Sequence, residues 1–135
     1  MAVVAWALER AVPLDLPAAR LLWWPGAVIA AAGLAIGVAG AGFFKMIGTP
    51  VNPIGTPLKL ATGGVYRFTR NPMYLGACVL FVGLGLMLDS GWLLVLVPLV
   101  VLGLRQLAIM PEEAYLRRRF GAEYAAYCAR VRRWL

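Results

Sequence analysis

Apolar positions fall into three long blocks. A long loop at residues 45–71 separates the first block from the second, and a short polar break at residues 89–91 separates the second from the third. Residues 21–44 carry no charge, and a helix of that length measures about 36 Å, enough to cross a hydrocarbon core of about 30 Å. Residues 72–90 and residues 92–110 form two further blocks around a polar break at residues 89–91. We therefore predict an all-α membrane protein with three clear transmembrane helices. The last two would form a hairpin, with Trp92 as an interfacial anchor.

The segments outside these blocks are harder to assign. Residues 1–20 begin apolar and then turn charged and proline-rich, which suits a surface helix, a re-entrant piece or a shortened fourth span. A basic stretch before the apolar start is absent, so we do not expect a signal peptide. The loop at residues 45–71 is too rich in glycine and proline to be helical at residues 48–64. The tail at residues 111–135 predicts two short amphipathic helices broken at Gly121 and lying on the membrane surface.

Composition agrees with a membrane location. Hydrophobic residues make up 62% of the 135 residues and charged residues 14%, with a mean hydropathy of +0.80. In soluble proteins, hydrophobic residues average about 45–50% and charged residues about 25%. These values exclude a water-soluble globule and a disordered chain. We expect a single domain over residues 1–135.

The chain contains no histidine. That excludes Ser-His-Asp and Cys-His catalysis, as well as zinc or haem held by histidine. Cys78 and Cys128 are too far apart in the chain to form a C-x-x-C motif. We interpret both as small apolar packing residues, and we expect no metal site.

The charges are placed unevenly along the chain. Lysine and arginine exceed aspartate and glutamate by 13 to 6, a net charge of +7. They concentrate in the loop at residues 45–71 and the tail at residues 111–135, and the break at residues 89–91 has none. The loop and the tail should therefore face the cytoplasm, in the inner membrane of a bacterium. An anionic membrane face or ligand suits these charges better than nucleic acid.

The motif RNPMYLG opens the second apolar block at residues 70–76. Asn71 is a favoured N-cap and Pro72 a favoured first helical residue, while Arg70 would extend toward lipid phosphates. One interpretation of the motif is therefore purely structural. The other is a ligand site at the start of a helix.

Two adjacent carboxylates follow the third block. Glu112 and Glu113 would interact favourably with the positive end of a helix dipole. They would also meet the arginines of the loop at the same end of the hairpin, and a pocket with both signs suits a zwitterionic ligand. Arg105 lies inside the third block, where a charge either extends to the interface or has a function. The tyrosines could stack on a ligand ring or anchor the tail: Tyr66, Tyr115, Tyr124 and Tyr127.

Taken in order, these motifs resemble the isoprenylcysteine carboxyl methyltransferase family, whose wider group includes the phospholipid N-methyltransferases. The family pattern is roughly L-V-T-x-G-x-Y, R-H-P-x-Y, a helical hairpin, E-E-x-x-L and F-G-x-x-Y-x-x-Y. The segments that carry the resemblance are residues 60–66, residues 70–74, Glu112-Glu113 with Leu116, and residues 120–124. The resemblance covers about residues 44–134.

The resemblance implies S-adenosylmethionine as methyl donor, bound at the cytoplasmic end of the last spans. By position, the residues that would hold this cofactor are Leu58, Lys59, Leu60, Ala61, Tyr66, Arg70, Asn71, Pro72, Met73, Tyr74, Glu112 and Glu113. Arg105 is the nearest match to an arginine that faces the substrate in the family, and it is our candidate catalytic residue.

The chain departs from the family pattern at a few positions. The frequent histidine of R-H-P is Asn71, and an upstream histidine position is Leu58. Asparagine donates a hydrogen bond but does not carry a proton. The usual V-P-R ending reads as valine, arginine and arginine at residues 131–133, which suggests a different docking of the tail.

Methyl transfer from a sulfonium is compatible with a chain that lacks histidine, because an in-line displacement needs alignment more than a strong base. A lipophilic acceptor is expected: a thiol, a carboxylate or the amine of a phospholipid. The alternatives are a sterol-reductase-like membrane oxidoreductase that uses NADPH and a non-enzymatic small membrane subunit. The acidic pair argues against a phosphate-rich cofactor.

Overall fold

A computed structural model describes residues 1–14, 16, 19–48 and 59–135. All regular structure in this part of the chain is helical, so the all-α prediction is confirmed. The helices are α1 (Ala2–Ala11), α2 (Ala19–Met46), α3 (Pro72–Met87), α4 (Gly91–Leu104) and α5 (Met110–Arg130). A short 3-10 turn covers Gly64–Arg67, and a π-helical turn at Arg105–Ile109 joins α4 to α5 without interruption.

Two of the described helices are long and apolar enough to cross a membrane. They are Leu21–Met46 and the continuous helix Gly91–Arg130, whose apolar part ends near Met110. The remaining apolar helix, α3, has 16 residues and is about 24 Å long. Three spans therefore remain a prediction, because α3 alone is shorter than a typical hydrocarbon core.

The chain divides into two compact units. The first comprises Met1–Ala35 and Gly76–Gly103, and the second comprises Ile36–Leu75 and Leu104–Leu135. Both α2 and α3 contribute residues to each unit.

Small residues bring α2 and α3 together in the first unit. A Cβ on Gly33 would overlap the backbone nitrogen of Leu80, and a Cβ on Gly83 would overlap the backbone of Ala30. Such close backbone approach is typical of helices packed through glycine and alanine in membranes. Gly33 therefore allows the close approach of these two helices. Gly37 differs, because no atom of the described residues lies within 4 Å of a Cβ built on it.

The end of helix α1 is tied to the turn between α3 and α4. The Glu9 carboxylate accepts hydrogen bonds from the Ser90 hydroxyl and the Leu14 amide, at 2.8 Å each. The indole nitrogen of Trp92 donates to the Val12 carbonyl at 2.7 Å. Trp92, which we expected to be a membrane anchor, therefore holds the N-terminal segment in this unit. With 10 residues, α1 measures about 15 Å, too short to span a membrane.

The core of the second unit is built from tyrosines. Tyr66, Tyr124 and Tyr127 are at most 4% exposed, and Tyr127 donates its hydroxyl to the Tyr66 carbonyl at 2.7 Å. The predicted break at Gly121 is confirmed, because this residue has φ 48° and ψ −118° inside α5. The expected docking of the tail's apolar face on the membrane surface is wrong for Tyr124 and Tyr127. Their side chains are buried in the protein, in a cluster with Leu60, Leu116, Phe120, Cys128 and Val131.

Candidate functional site

An open cavity lies within the second unit. It encloses about 470 Å³ of space when the open solvent at its mouth is counted. Its walls combine cationic, anionic, aromatic and apolar side chains. The lining residues are Phe44, Lys59, Leu60, Ala61, Tyr66, Arg70, Asn71, Glu112, Glu113, Leu116, Tyr124 and Tyr127.

The start of helix α3 forms one wall. Asn71 precedes the first helical residue, and its carbonyl accepts the first helical hydrogen bond from Leu75 at 2.9 Å. Its side chain makes no hydrogen bond to the first turn of α3 among the described residues, so the predicted cap is not seen there. The Asn71 Nδ2 atom donates to the Arg133 carbonyl at 3.0 Å. Within the same part of the chain, the Asn71 Oδ1 atom has no donor and can accept a further hydrogen bond.

Glu113 is the most strongly paired carboxylate of the site. Arg133 donates to both of its oxygens, from Nε at 2.9 Å and from Nη2 at 2.7 Å. Arg70 lies on one of the same oxygens, with Nη1 at 3.2 Å. Burial alone would raise the pKa of Glu113, but the hydrogen bonds from Arg133 and the charge of Arg70 hold that pKa below its usual value. Glu113 therefore stays ionised and is neutralised by two arginines.

Glu112 has a different environment beyond the apolar part of the same helix. It lines the cavity and is half-buried. Among the described residues, no lysine or arginine nitrogen lies within ion-pair distance of its carboxylate. Burial, followed by the neighbouring charge of Glu113, raises the pKa of Glu112. A cationic group in the cavity would relieve this desolvated charge.

Tyr66 is held rigidly at the centre of the site. Its ring packs against Phe43 and Phe44, with centroids 5.8 Å and 5.3 Å away, and only 4% of the residue is exposed. Burial, with a further contribution from Glu112, raises the pKa of its hydroxyl, which therefore remains protonated. A protonated tyrosine hydroxyl offers a hydrogen-bond donor.

Two buried donors of the cavity wall lack a partner within the described part of the chain. They are the Tyr66 hydroxyl and the Arg70 Nε. Buried polar atoms are normally hydrogen-bonded, so these two donors on cavity-lining residues call for an acceptor that the described residues do not provide. Arg70 Nη1 is already used, since it contacts Glu113 and donates to the Cys128 sulfur at 2.9 Å. Cys128 thus accepts a hydrogen bond while it also packs against the tyrosine cluster, and Cys78 is buried, so both cysteines pack as we interpreted them.

The donor set fits an amino acid group joined to an apolar ring system. Unpartnered donors suit a carboxylate, and the Glu112 carboxylate suits an ammonium. Phe44, Leu60 and Leu116 form an apolar part of the cavity wall, and an apolar surface suits a planar ring. S-adenosylmethionine combines these groups, so the residues present fit that cofactor.

Most of the predicted site residues line the cavity, and some do not. The lining ones are Lys59, Leu60, Ala61, Tyr66, Arg70, Asn71, Glu112 and Glu113. Pro72, Met73 and Tyr74 lie in the first turn of α3 and are not among the lining residues, with Pro72 completely buried. Arg105 starts the π-helical turn, is exposed and is also not among the lining residues. Leu58 lies outside the described residues.

The sequence alone does not single out every residue of the site. Phe44 ends an apolar block, Leu116 stands out only within the family pattern, and Tyr124 and Tyr127 suit either ligand stacking or anchoring of the tail. Arg133 was grouped with the other arginines of the tail, yet it pairs with Glu113. The available signal was the tyrosine spacing at residues 124 and 127, which matches the family pattern F-G-x-x-Y-x-x-Y.

Fold and site together define a helical protein that has two helices long and apolar enough to span a membrane and, in its second unit, a cavity with side chains of both charges. The model of the phospholipid methyltransferase family matches residues 22–123. The chain therefore belongs to the phospholipid methyltransferase family. This membership does not favour the nicotinamide-dependent reductase that the sequence left open.

Similar proteins in plants are named as methyltransferases. A protein of Oryza sativa subsp. indica named "Probable protein-S-isoprenylcysteine O-methyltransferase" is 40% identical over 73 residues, 54% of this chain and 38% of the rice protein. "Protein-S-isoprenylcysteine O-methyltransferase B" of Arabidopsis thaliana is 37% identical over 73 residues, 54% of this chain and 37% of that protein. The chain thus spans about two fifths of the length of these plant relatives.

An uncharacterized protein of Haemophilus influenzae is 38% identical over 65 residues, which are 47% of this chain and 100% of that protein. No solved structure matches the chain.

Proposed function

We propose that the protein transfers a methyl group from S-adenosylmethionine to a lipophilic acceptor at the cytoplasmic face of a membrane. The observation that carries this proposal is the cavity of the second unit, whose lining residues include a carboxylate and two donors that have no partner among the described residues, beside an apolar wall. Family membership supports methyl transfer, and the names of the plant relatives support an acceptor attached to a lipid.

Each part of the cavity has a role in this proposal. Glu112 would hold the ammonium of the cofactor, while the Tyr66 hydroxyl and Arg70 Nε would donate to its carboxylate. Phe44 and Leu116 would provide the apolar surface for its adenine ring, and the backbone of residues 59–61 would contribute polar groups. Pro72, Met73 and Tyr74 support the pocket from the first turn of α3.

When bound, the cofactor would supply an electrophilic methyl group: a lone pair of the acceptor would form the new bond to this methyl as its carbon–sulfur bond breaks, which would leave a neutral thioether. The proton of a thiol or amine acceptor would go to water. The acceptor is a thiol, a carboxylate or a phospholipid amine. The protein aligns the two reactants, because in-line displacement depends chiefly on geometry. Arg105 is exposed at the helix surface, and we propose that it orients an acceptor that arrives from the lipid.

The membrane arrangement is part of the same proposal. With α2, α3 and α4 as three spans, the loop at residues 45–71 and the tail at residues 111–135 share the cytoplasmic side. A water-soluble donor then enters from the cytoplasm, and the lipophilic acceptor enters between helices. For a bacterial protein this is the inner membrane.

Calorimetric titration of the detergent-purified protein with S-adenosylmethionine tests the cofactor. We expect saturable binding that Glu112→Gln weakens about tenfold or more, since a hydrogen bond to a charged group contributes about 1.5–3 kcal/mol. Glu123→Gln is the matched control, because Glu123 is an exposed glutamate on the same helix. Absence of binding by folded wild-type protein would refute the proposal. Incorporation of labelled methyl into lipid extracts then identifies the acceptor class.

A further inference from the structure

The last residues of the chain form a strap along the entrance to α3, which we call the C-terminal strap (residues 131–133). The Arg70 amide donates to the Arg132 carbonyl at 3.1 Å. The Arg133 carbonyl accepts from the Thr69 hydroxyl at 3.2 Å and from Asn71 Nδ2 at 3.0 Å. The strap therefore holds both Arg70 and Asn71 through its backbone.

The side chain of Arg133 adds a second set of contacts. Its two nitrogens form a forked pair with both oxygens of Glu113, and this geometry fixes orientation as well as charge. Arg133 is not among the cavity-lining residues, whereas Glu113 and Arg70 are. The Arg133 side chain therefore reaches the cavity through Glu113, the lining residue with which it pairs directly.

The three side chains of this charged group differ in how much of their surface is exposed to solvent. The side chains of Glu113 and Arg70 are 9% and 13% exposed, and that of Arg133 is 30% exposed. Without Arg133, the buried Glu113 carboxylate would lose its two shortest hydrogen bonds. It would then draw more heavily on Arg70, whose Nη1 already contacts it at 3.2 Å. A closer pairing of Arg70 with Glu113 would change the orientation of its guanidinium, and with it the position of the Nε donor.

We propose that Arg133 is a positioning residue of the methyl-donor site. It fixes Glu113, and through Glu113 it keeps the Arg70 Nε available to the carboxylate of the cofactor. This inference rests on the proposed function, because it assigns the charged end of the cavity to the amino acid part of S-adenosylmethionine.

Two probes separate positioning from general damage to the cavity. S-adenosylhomocysteine contains the amino acid part, and 5′-methylthioadenosine lacks it but keeps the adenosine and the thioether. We expect Arg133→Met to weaken binding of the first probe about tenfold, since coupled charged groups contribute about 0.5–3 kcal/mol and 1.4 kcal/mol is tenfold. Binding of the second probe should stay within about twofold.

Arg132→Met is the matched control, because the neighbouring Arg132 side chain is exposed and only its backbone contacts Arg70. It should leave both affinities unchanged. Arg133→Lys keeps the charge but not the forked geometry, so it should weaken S-adenosylhomocysteine binding several-fold even if Arg133→Met fails to fold.

A double-mutant cycle gives a second measurement. If Arg133 acts through Glu113, adding Arg133→Met to Glu113→Gln should change S-adenosylhomocysteine affinity by less than about twofold. Additive losses, equal losses for both probes, or wild-type affinity in the folded Arg133 variants would overturn the positioning role alone. Wild-type protein that binds neither probe would instead overturn the proposed function.

Discussion

At the scale of single residues, Glu113 is the main electrostatic support of the second unit. It is 7% exposed and pairs with Arg133 and Arg70. Removing one partner of a buried ion pair typically costs about 3–5 kcal/mol, because the remaining charge stays desolvated. We expect Glu113→Ala to lower the free energy of unfolding by about 3 kcal/mol, measured by thermal unfolding in detergent. Glu123→Ala, at an exposed site, should change it little.

The same carboxylate predicts an acid-sensitive fold. Because its pKa is lowered on folding, the unfolded chain takes up a proton at a higher pH than the folded protein. The stabilisation from Glu113 is complete above the ordinary glutamate pKa of about 4.3 and is lost as pH falls through the lower folded value. Glu113→Gln should flatten this decline in unfolding temperature. A wild-type profile that is flat down to about pH 3 would contradict the pairing.

Glu112 gives a pH dependence at a different place and of a different kind. Its ionised form is the one that binds a cation, and its pKa is raised from 4.5 by burial and then by Glu113. Affinity for S-adenosylmethionine should therefore fall as pH is lowered, starting above the pH at which an ordinary glutamate is protonated. Titration between about pH 7 and about pH 4 tests this. Binding by Glu112→Gln should be weak and independent of pH over the same range.

At the scale of elements, the contact between α2 and α3 depends on missing side chains. A Cβ on Gly33 overlaps the Leu80 backbone, while one on Gly37 meets no atom of the described residues within 4 Å. Overpacking costs about 1–3 kcal/mol, whereas glycine to alanine in a free helix gains up to about 1 kcal/mol. We expect Gly33→Ala to lower the unfolding temperature and Gly37→Ala to leave it equal or higher. Equal effects at both positions would contradict this contact.

The elements themselves were largely predictable from hydrophobic blocks. The block at residues 21–44 became Ala19–Met46, and the polar break at residues 89–91 separates α3 from α4 as expected. The π-helical turn at Arg105–Ile109 was not predictable, because an uninterrupted apolar pattern does not reveal one extra residue per turn. Glycine at position 121 did reveal the break in α5, since few other residues adopt a positive φ.

At the scale of the whole molecule, the charge distribution predicts orientation in the membrane. Cysteine labelling in sealed vesicles tests it, using Arg119→Cys in the tail and Ala2→Cys near the N-terminus, both exposed positions. With three spans, the tail should be labelled only from the cytoplasmic side and position 2 only from the other side. Labelling of both from one side would require an even number of spans.

The candidate site was predictable where motifs are adjacent in the chain and not where distant segments meet. Asn71 and Glu112 were found because a motif marks each of them. Arg133 was missed because the tail contains several arginines, and only the folded contact with Glu113 distinguishes it. Tyr124 and Tyr127 have a spacing that suits a membrane-facing stripe and a buried cluster equally well. Periodicity alone therefore cannot tell a lipid contact from a protein contact.

The break in α5 has a consequence in terms of handedness. At φ 48° and ψ −118°, Gly121 has the backbone of a mirror-image residue, since reversing both signs gives an ordinary extended L-conformation. No atom of the described residues lies within 4 Å of an L-Cβ built there. An L-alanine would thus lose about 1–3 kcal/mol to backbone strain alone. A D-alanine, introduced by semisynthesis of the tail, should be tolerated and raise the unfolding temperature above that of the glycine protein. Glycine is therefore favoured at this position because it has no L-configured side chain, and not because space is limited.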